Sequence, residues 1–148
     1  MSPGDSLVVF RRAPRVLRRK VLQDFAGRLW TEVAGQRHFL ILITDDRELR
    51  RLNRDFLNKD YPTDVLSFPE GNAAGALGEI AISVQRAAEQ AAELGHDCET
   101  EIQILMLHGL LHLQGMDHEK DRGRMKRAET RWRKTLGLPG GLIERSRQ

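Results

Sequence analysis

The segment 99–114 is the feature that most restricts the fold of this 148-residue chain. Placed on a helix with 3.6 residues per turn, its sequence ETEIQILMLHGLLHLQ is apolar on nearly every side. Such a helix has to be surrounded by other elements, so we predict a helix from about Glu99 to Gln114 in the middle of a domain. The chain is long enough to build that core without disulfides, and a single cysteine, Cys98, excludes an internal one.

The rest of the sequence predicts a mixture of strands and further helices. Short runs rich in β-branched and aromatic residues predict strands at 6–10, 38–44, 65–68 and 78–83. Apolar residues at helical spacing predict helices at 14–33, just after 45, at 84–94 and at 119–136. Because strands and helices do not strictly alternate, we expect an α+β fold in one domain, 1–148. It should have a roughly four-stranded mixed sheet and about five helices.

Two histidines stand one turn apart on the apolar helix. Four helical residues turn about 400° and rise about 6 Å, so His108 and His112 project from the same face. Both imidazoles can then reach one ion about 2.0–2.1 Å from each nitrogen. Gly115 stands where the helix should end, and a glycine there can reverse the chain and bring back His118 as a third ligand. The sequence therefore predicts a metal site at the C-terminal end of this helix.

Three imidazoles without a fourth protein ligand leave a position for water, which is typical of a catalytic metal site. Zinc is favoured because neutral imidazoles suit it, although they also suit nickel, copper and iron. The alternative, three unrelated histidines, would leave imidazole nitrogens without a purpose on an apolar helix, which burial penalises.

The histidine spacing H-x3-H-x2-G-x2-H is that of the metzincin proteases, whose motif begins His-Glu. Here Gly109 stands at the position of the glutamate that deprotonates the attacking water in those enzymes. A protease would lack its general base at the expected place, so the pattern favours another metal-assisted hydrolysis.

Three separated segments resemble the motifs of one protein family. HGLLHLQGMDH at 108–118 resembles the signature of the YbeY proteins, metal-dependent endoribonucleases of bacterial ribosomal RNA maturation and ribosome quality control. LNRDFLNKDYPTDVLSFP at 52–69 and LGEIAIS at 77–83 resemble two further motifs of that family, in the family's order. The resemblance implies an α+β fold around a metal-containing cleft, with zinc ligands at His108, His112 and His118.

One departure from the family pattern bears on catalysis. The family commonly has an arginine, implicated in RNA cleavage, and then a glycine where this chain has Leu57 and Asn58. Arg54, one helical turn earlier, is the candidate replacement. Lys59, Arg54 and Arg86 are the cations in the matching region that could stabilise a phosphorane-like transition state. The alternative is that each is a simple surface charge.

Three further polar residues have two interpretations each. Asp117 either orients a ligand imidazole or caps the helix that follows. Ser67 and Glu79 either face the substrate or reflect the alternation of a half-buried strand. Trp132, between two arginines, is interpreted as a core residue in preference to a base-stacking platform.

Basic residues are concentrated towards the two ends of the sequence. Residues 1–37 and 119–134 each carry eight basic and three acidic side chains, whereas 38–118 carries six basic and fourteen acidic ones. The basic helices at 14–33 and 119–136 are candidates for contacts to RNA phosphates, which would give salt-sensitive affinity without sequence specificity. Solvated faces of a basic protein are the alternative.

The leading functional hypothesis is a zinc-dependent endoribonuclease that cuts single-stranded RNA in the maturation of ribosomal RNA, at the 3′ end of the small-subunit RNA. The alternatives are a metal-dependent hydrolase of another substrate, such as a degenerate peptidase, and a ribosome-associated RNA-binding factor with structural zinc. The expected partner is precursor ribosomal RNA or the ribosome, and not DNA or a membrane, since no run approaches the ~20 apolar residues of a membrane span. Without a visible targeting segment, we expect a cytoplasmic protein.

Overall fold

The four predicted strands form one sheet in a computed structural model, which describes residues 3–59, 63–70, 75–117 and 121–139. The strands are β1 (Val8–Phe10), β2 (Phe39–Thr44), β3 (Val65–Pro69) and β4 (Gly78–Ser83). Their order in the sheet is β1-β2-β4-β3, with β2 parallel to β1 and to β4, and β3 antiparallel to β4. The nearly all-apolar β2 is an interior strand, as is typical of strands that are covered on both faces.

Five α-helices accompany the sheet in the described part of the chain. They are α1 (Arg19–Arg28), α2 (Asp46–Leu57), α3 (Val84–Leu94), α4 (Cys98–Leu113) and α5 (Arg124–Leu136). A 3-10 turn at Pro3–Ser6 precedes β1, and α1 continues into one π-helical turn at Leu29–Val33. The predicted α+β fold with a mixed four-stranded sheet is thereby confirmed.

Helix α4 is the central helix that its composition predicts. Twelve of its sixteen residues are buried, and α1, α3, α5 and the sheet all pack against it. Alternate residues of β2 and β4 point towards it, because successive strand residues face opposite sides of a sheet. The fully buried members of this main core on the two strands are Phe39, Ile41, Ile43, Ile80 and Ile82.

Helix α2 covers the opposite face of the sheet. Its Leu49 packs with Leu66 and Ala81 in a second, smaller core. Asp45 caps the helix: its carboxylate accepts a hydrogen bond of 2.9 Å from the backbone N–H of Glu48. The two core clusters show that the sheet separates α2 from α4.

Helices α2 and α4 end at the same end of the sheet. Asp46 at the start of α2 lies beside Ser83, the last residue of β4, whereas Phe56 near its end packs edge-on against Phe68 of β3. On the other face, Leu113 at the end of α4 lies against Gly78, the first residue of β4. Both helices therefore point their C-termini towards the start of β4.

The first helix begins later than its apolar pattern predicts. The predicted start was residue 14, but the chain first makes a turn in which the Leu17 N–H bonds to the Pro14 carbonyl. The next N–H, that of Arg18, donates to the Glu99 carboxylate at 2.8 Å. This contact with the start of α4 takes the place of another helical turn, so α1 begins at Arg19.

The last helix also begins later than predicted. The predicted start was residue 119, but Asp121 and Arg122 lie in a bend and a turn. Gly123, the N-cap residue, has a φ of 84°, a left-handed conformation that a right-handed helix cannot include. The Asp121 carboxylate accepts a hydrogen bond of 2.9 Å from the N–H of Met125, in the first turn. These local interactions fix the start of α5 at Arg124.

Within the described residues, no helix combines the length and apolar character that crossing a membrane would require.

Candidate metal centre

The two helical histidines meet at the end of α4. His108 is buried and His112 half-buried, and their Nε2 atoms are 3.1 Å apart. The ring centroids lie 4.7 Å apart at an interplanar angle of 74°. Two nitrogens bound to one tetrahedral ion at 2.0–2.1 Å would be about 3.3–3.4 Å apart. The spacing of the two Nε2 atoms is therefore close to what one shared ion requires.

The chain reverses after α4 in the way that the sequence predicts. Gly115 has a φ of 90°, and the N–H of Met116 bonds back to the Leu111 carbonyl at 3.1 Å. His118, the predicted third ligand, lies outside the described residues. Among the residues that the structure does describe, no group of three metal-ligating side chains comes together. The three-histidine site therefore stays a prediction, supported by the geometry of two of its members.

Gly109 lies where helix and sheet approach most closely. A Cβ atom at this position would be 2.8 Å from Cγ2 of Ile80 and 3.2 Å from Oγ of Ser67. The Ser67 hydroxyl donates a hydrogen bond of 3.1 Å to the Gly109 carbonyl oxygen. The position that carries the general-base glutamate in metzincins thus faces a close-packed sheet here and has no room for a side chain.

Glu129 of α5 lies beside His108, although it is not among the site residues that the sequence predicts. Its Oε2 is 3.4 Å from Nδ1 of His108, and the residue is only 1% exposed. A signal was present in the sequence, since Glu129 occupies the otherwise apolar stripe of α5 formed by Met125, Ala128 and Leu136. A carboxylate within such a stripe needs a buried partner.

The loop after α2 approaches the same end of the sheet as the histidines. Asn58 follows the helix with a φ of 56°, a left-handed conformation that asparagine tolerates better than most residues, at the position where the family has glycine. Lys59 comes next, and its backbone N–H bonds to the Asn53 carbonyl. Arg54 lies one turn back on α2, exposed and paired with Asp55 at 3.2 Å. Of these two cations, Lys59 lies nearer the end of α2.

The structure places Glu79 and Arg86 away from the histidine pair. Glu79 is exposed. It points to the side of the sheet on which α2 lies, because successive strand residues alternate and its neighbour Ile80 points to Gly109 on the other side. Arg86 lies beyond the far end of β4 and pairs with Asp46 at 3.1 Å. Neither side chain joins His108 in a common site.

Asp117 does not cap the helix that follows, and that alternative is wrong. The N-cap residue of α5 is Gly123, and the carbonyl of Asp117 instead accepts a hydrogen bond from the N–H of Asp121. The other interpretation, that Asp117 orients a ligand imidazole, stays a prediction.

Trp132 agrees with its interpretation as a core residue, and two further polar residues lie outside the proposed centre. Trp132 packs against the main core. His96 lies 2.7 Å from the buried carboxylate of Glu101. Burial, reinforced by the neighbouring carboxylates, raises the pKa of the Cys98 thiol to about 11, so it is a poor nucleophile at neutral pH.

Comparisons with known proteins agree with the motifs and the fold. The family model for endoribonuclease YbeY matches residues 14–137. An endoribonuclease YbeY from Solibacter usitatus (strain Ellin6076) is 62% identical over 144 residues, which cover 97% of each chain. Another from Koribacter versatilis (strain Ellin345) is 53% identical over 106 residues, covering 72% of this chain and 69% of the relative.

A solved structure has the same fold. The solution structure of TM1509 from Thermotoga maritima superimposes with a TM-score of 0.59 at 26% sequence identity, over 84% of this chain and 85% of that one. The sequence motifs, the sheet with its central helix and the near-complete match to the Solibacter usitatus relative agree with one another. The chain is a member of the YbeY endoribonuclease family.

Proposed function

We propose that this protein is a zinc-dependent endoribonuclease that cleaves single-stranded RNA with His108, His112 and His118 as the metal ligands. The observation that carries the proposal is the 3.1 Å separation of the two Nε2 atoms at the end of α4. The family membership supports RNA as the substrate, and the convergent imidazole nitrogens are a donor set that suits zinc.

A zinc ion held by these imidazoles would supply Lewis-acid chemistry, activating a water molecule and polarising a phosphoryl oxygen. The chain's own contribution is to hold the imidazoles on a rigid, buried helix and to keep the sheet close behind Gly109. Since no carboxylate fits at that position, the general base comes from elsewhere. Lys59 is our candidate for stabilising the negative charge of the transition state. It follows the C-terminus of α2, at the end of the sheet where α4 also ends.

The basic face of α5 supports an RNA substrate. This helix presents Glu129 and its apolar side chains inwards, towards α4. Its exposed side chains are mainly cationic: Arg124, Lys126, Arg127, Arg131 and Lys134. The same helix contacts His108 through its inner face, so its outer face lies roughly one helix diameter from the proposed centre. RNA phosphates on this face would be held without sequence selection.

Precursor ribosomal RNA in the cytoplasm is the substrate that we propose, at the 3′ end of the small-subunit RNA. The three family motifs support this assignment, because they resemble those of ribosomal RNA maturation factors. A ribosome-bound substrate would also account for a broad basic surface that recognises backbone rather than base sequence.

The decisive experiment incubates the zinc-loaded chain with a short single-stranded RNA and compares it with a His112→Ala variant. We expect cleavage by the wild type, and loss of both cleavage and stoichiometric zinc in the variant. If folded, zinc-loaded protein binds RNA in a salt-sensitive manner without cutting it, the chain is an RNA-binding factor and the proposed activity is wrong. A Leu57→Arg variant that cleaves faster would show what the departure from the family pattern costs.

A further inference from the structure

We infer that Glu129 is a positioning residue of the metal centre, one that fixes the orientation and tautomer of His108. The inference rests on the proposed zinc site and concerns a residue to which neither the motifs nor the family membership gives a role. It assigns to α5 a part in the chemistry beyond the contacts of its basic face.

The burial of Glu129 is the first argument. A carboxylate that is 1% exposed is costly unless hydrogen-bond donors reach it. The imidazole of His108, itself buried, presents Nδ1 at 3.4 Å from the carboxylate. The residues around Glu129 on its helix face, Met125 and Ala128, are buried and apolar. The sequence thus places a charge at a position where packing alone calls for an apolar side chain.

The tautomer of His108 is the second argument. An ionised carboxylate only accepts hydrogen bonds, so a bond between Glu129 and His108 requires the proton on Nδ1. A neutral imidazole with a proton on Nδ1 has a bare lone pair on Nε2. That Nε2 is the atom that lies 3.1 Å from Nε2 of His112. The contact with α5 therefore exposes the lone pair at the point where the two rings converge.

A carboxylate behind a ligand imidazole has a known physical effect. It holds the ring in one orientation and makes the coordinating nitrogen more basic, and losing it typically weakens metal binding by about 10–100-fold. Glu129 reaches His108 from a different helix, so the docking of α5 onto α4 prepares the ligand.

The chain offers a matched control. Glu101 is also fully buried and also bonds to an imidazole, with Oε1 2.7 Å from Nε2 of His96. That bond uses the Nε2 of an isolated histidine. A Glu101→Gln variant therefore tests loss of a buried carboxylate–imidazole contact away from the proposed centre.

The test measures zinc affinity of the full chain by competition with a chromophoric chelator, for the wild type and for Glu129→Gln, Glu101→Gln and His112→Ala. We expect Glu129→Gln to bind zinc about 10–100-fold more weakly, and Glu101→Gln to bind it as the wild type does. Wild-type affinity in Glu129→Gln, together with loss of zinc in His112→Ala, overturns the inference and leaves the proposed site intact. Wild-type affinity in His112→Ala overturns the proposed site itself.

A second measurement needs no variant. At 3.4 Å the contact is longer than the usual 2.7–3.2 Å of an N–H···O bond, so the position of the proton is the decisive quantity. In zinc-loaded wild type with ¹⁵N-labelled histidine, NMR should show the proton of His108 on Nδ1. A proton on Nε2 of His108 overturns the inference.

Discussion

At the scale of single residues, Gly109 shows how close packing limits the chemistry at the end of α4. A Cβ atom there would lie 2.8 Å from a side-chain carbon of Ile80, itself fully buried. This distance is shorter than any ordinary van der Waals contact, so the Ile80 side chain, the helix or the sheet would have to move. The metzincin base cannot be restored at this position unless Ile80, α4 or β4 shifts.

We therefore expect Gly109→Ala to lower the free energy of unfolding by about 1–3 kcal/mol, the usual cost of overpacking. Alanine alone would favour a helix by about 1 kcal/mol relative to glycine, so the sign of the change separates the two effects. Urea unfolding provides the measurement. In a double-mutant cycle, the stability cost of Gly109→Ala should be smaller in an Ile80→Ala background than in the wild type, which would show strong coupling between the two positions. An alanine variant more stable than the wild type would contradict the close contact.

The histidine pair was predictable from the sequence, whereas its carboxylate neighbour was not identified. The spacing of His108 and His112 on one helix face follows from the helical repeat alone. Glu129 lies 21 residues beyond His108, and its contact depends on how α5 docks onto α4. Local periodicity does not specify that docking, although the charge within an apolar stripe marks the position.

At the scale of elements, Glu48 connects the segment after β1 to helix α2. Its buried carboxylate accepts hydrogen bonds from Arg11 at 3.0 Å, from Arg51 at 3.1 Å and from the Thr44 hydroxyl at 3.0 Å. Burial pushes the pKa of Glu48 upwards, but the hydrogen bonds from Thr44 and Arg51 and the charge of Arg11 outweigh it, so the pKa lies below its usual value. The charged form is therefore the one that the fold stabilises.

A pKa that folding lowers contributes stability above the unfolded value, near 4.3, and this contribution is lost as the pH falls through the folded value. We expect Glu48→Gln to cost about 1–3 kcal/mol at pH 7, because it removes the anion that two guanidinium groups share. The difference from wild type should shrink in urea titrations below about pH 4.

Asp24→Asn provides the control for Glu48→Gln. Asp24 pairs with Lys20 at 2.8 Å, but both side chains are largely exposed, so water screens the pair and we expect little change in stability. A pH-independent loss in Glu48→Gln would assign the effect to shape and not to charge.

Element boundaries were the part of the fold that the sequence predicted least well. Apolar periodicity runs through residues 14–18, yet the contact of Arg18 with Glu99 ends the helical pattern before α1 begins. At α5, the left-handed Gly123 shifts the start to Arg124. In both cases a specific interaction, tertiary in the first and local in the second, outweighs the average propensity.

At the scale of the whole molecule, the fold class was predictable but the order of the strands was not. Composition and spacing give four strands and a central helix, and these are present. The position of β4 between β2 and the antiparallel β3 depends on contacts between residues far apart in sequence, such as Ile41 with Ile80. Short-range patterns do not contain that information.

The distribution of charge makes a prediction at the same scale. If RNA lies along α5, an Arg124→Ala, Arg131→Ala double variant should reduce the slope of log affinity against log salt by about 0.7 for each lost phosphate contact. A non-cleavable single-stranded analogue allows the measurement by fluorescence anisotropy.

An Arg47→Ala, Arg50→Ala double variant on α2 is the charge-matched control, because that helix lies on the other face of the sheet from α4. Equal slopes for the two double variants would show that binding is diffuse and that α5 does not guide the RNA.

At the end of the sheet where α2 and α4 both end, most residues of two short stretches contribute nothing to the two hydrophobic cores. These stretches are Leu57 to Lys59 at the end of α2 and Gly115 to Asp117 after α4. Apart from Met116, their residues lie outside the two core clusters. We therefore expect Leu57 and Lys59 to accept other side chains at little risk to folding, whereas position 58 needs a residue that tolerates the left-handed φ of 56°. A Leu57→Arg substitution should accordingly leave the scaffold intact, so that the charge at this position can change independently of the fold.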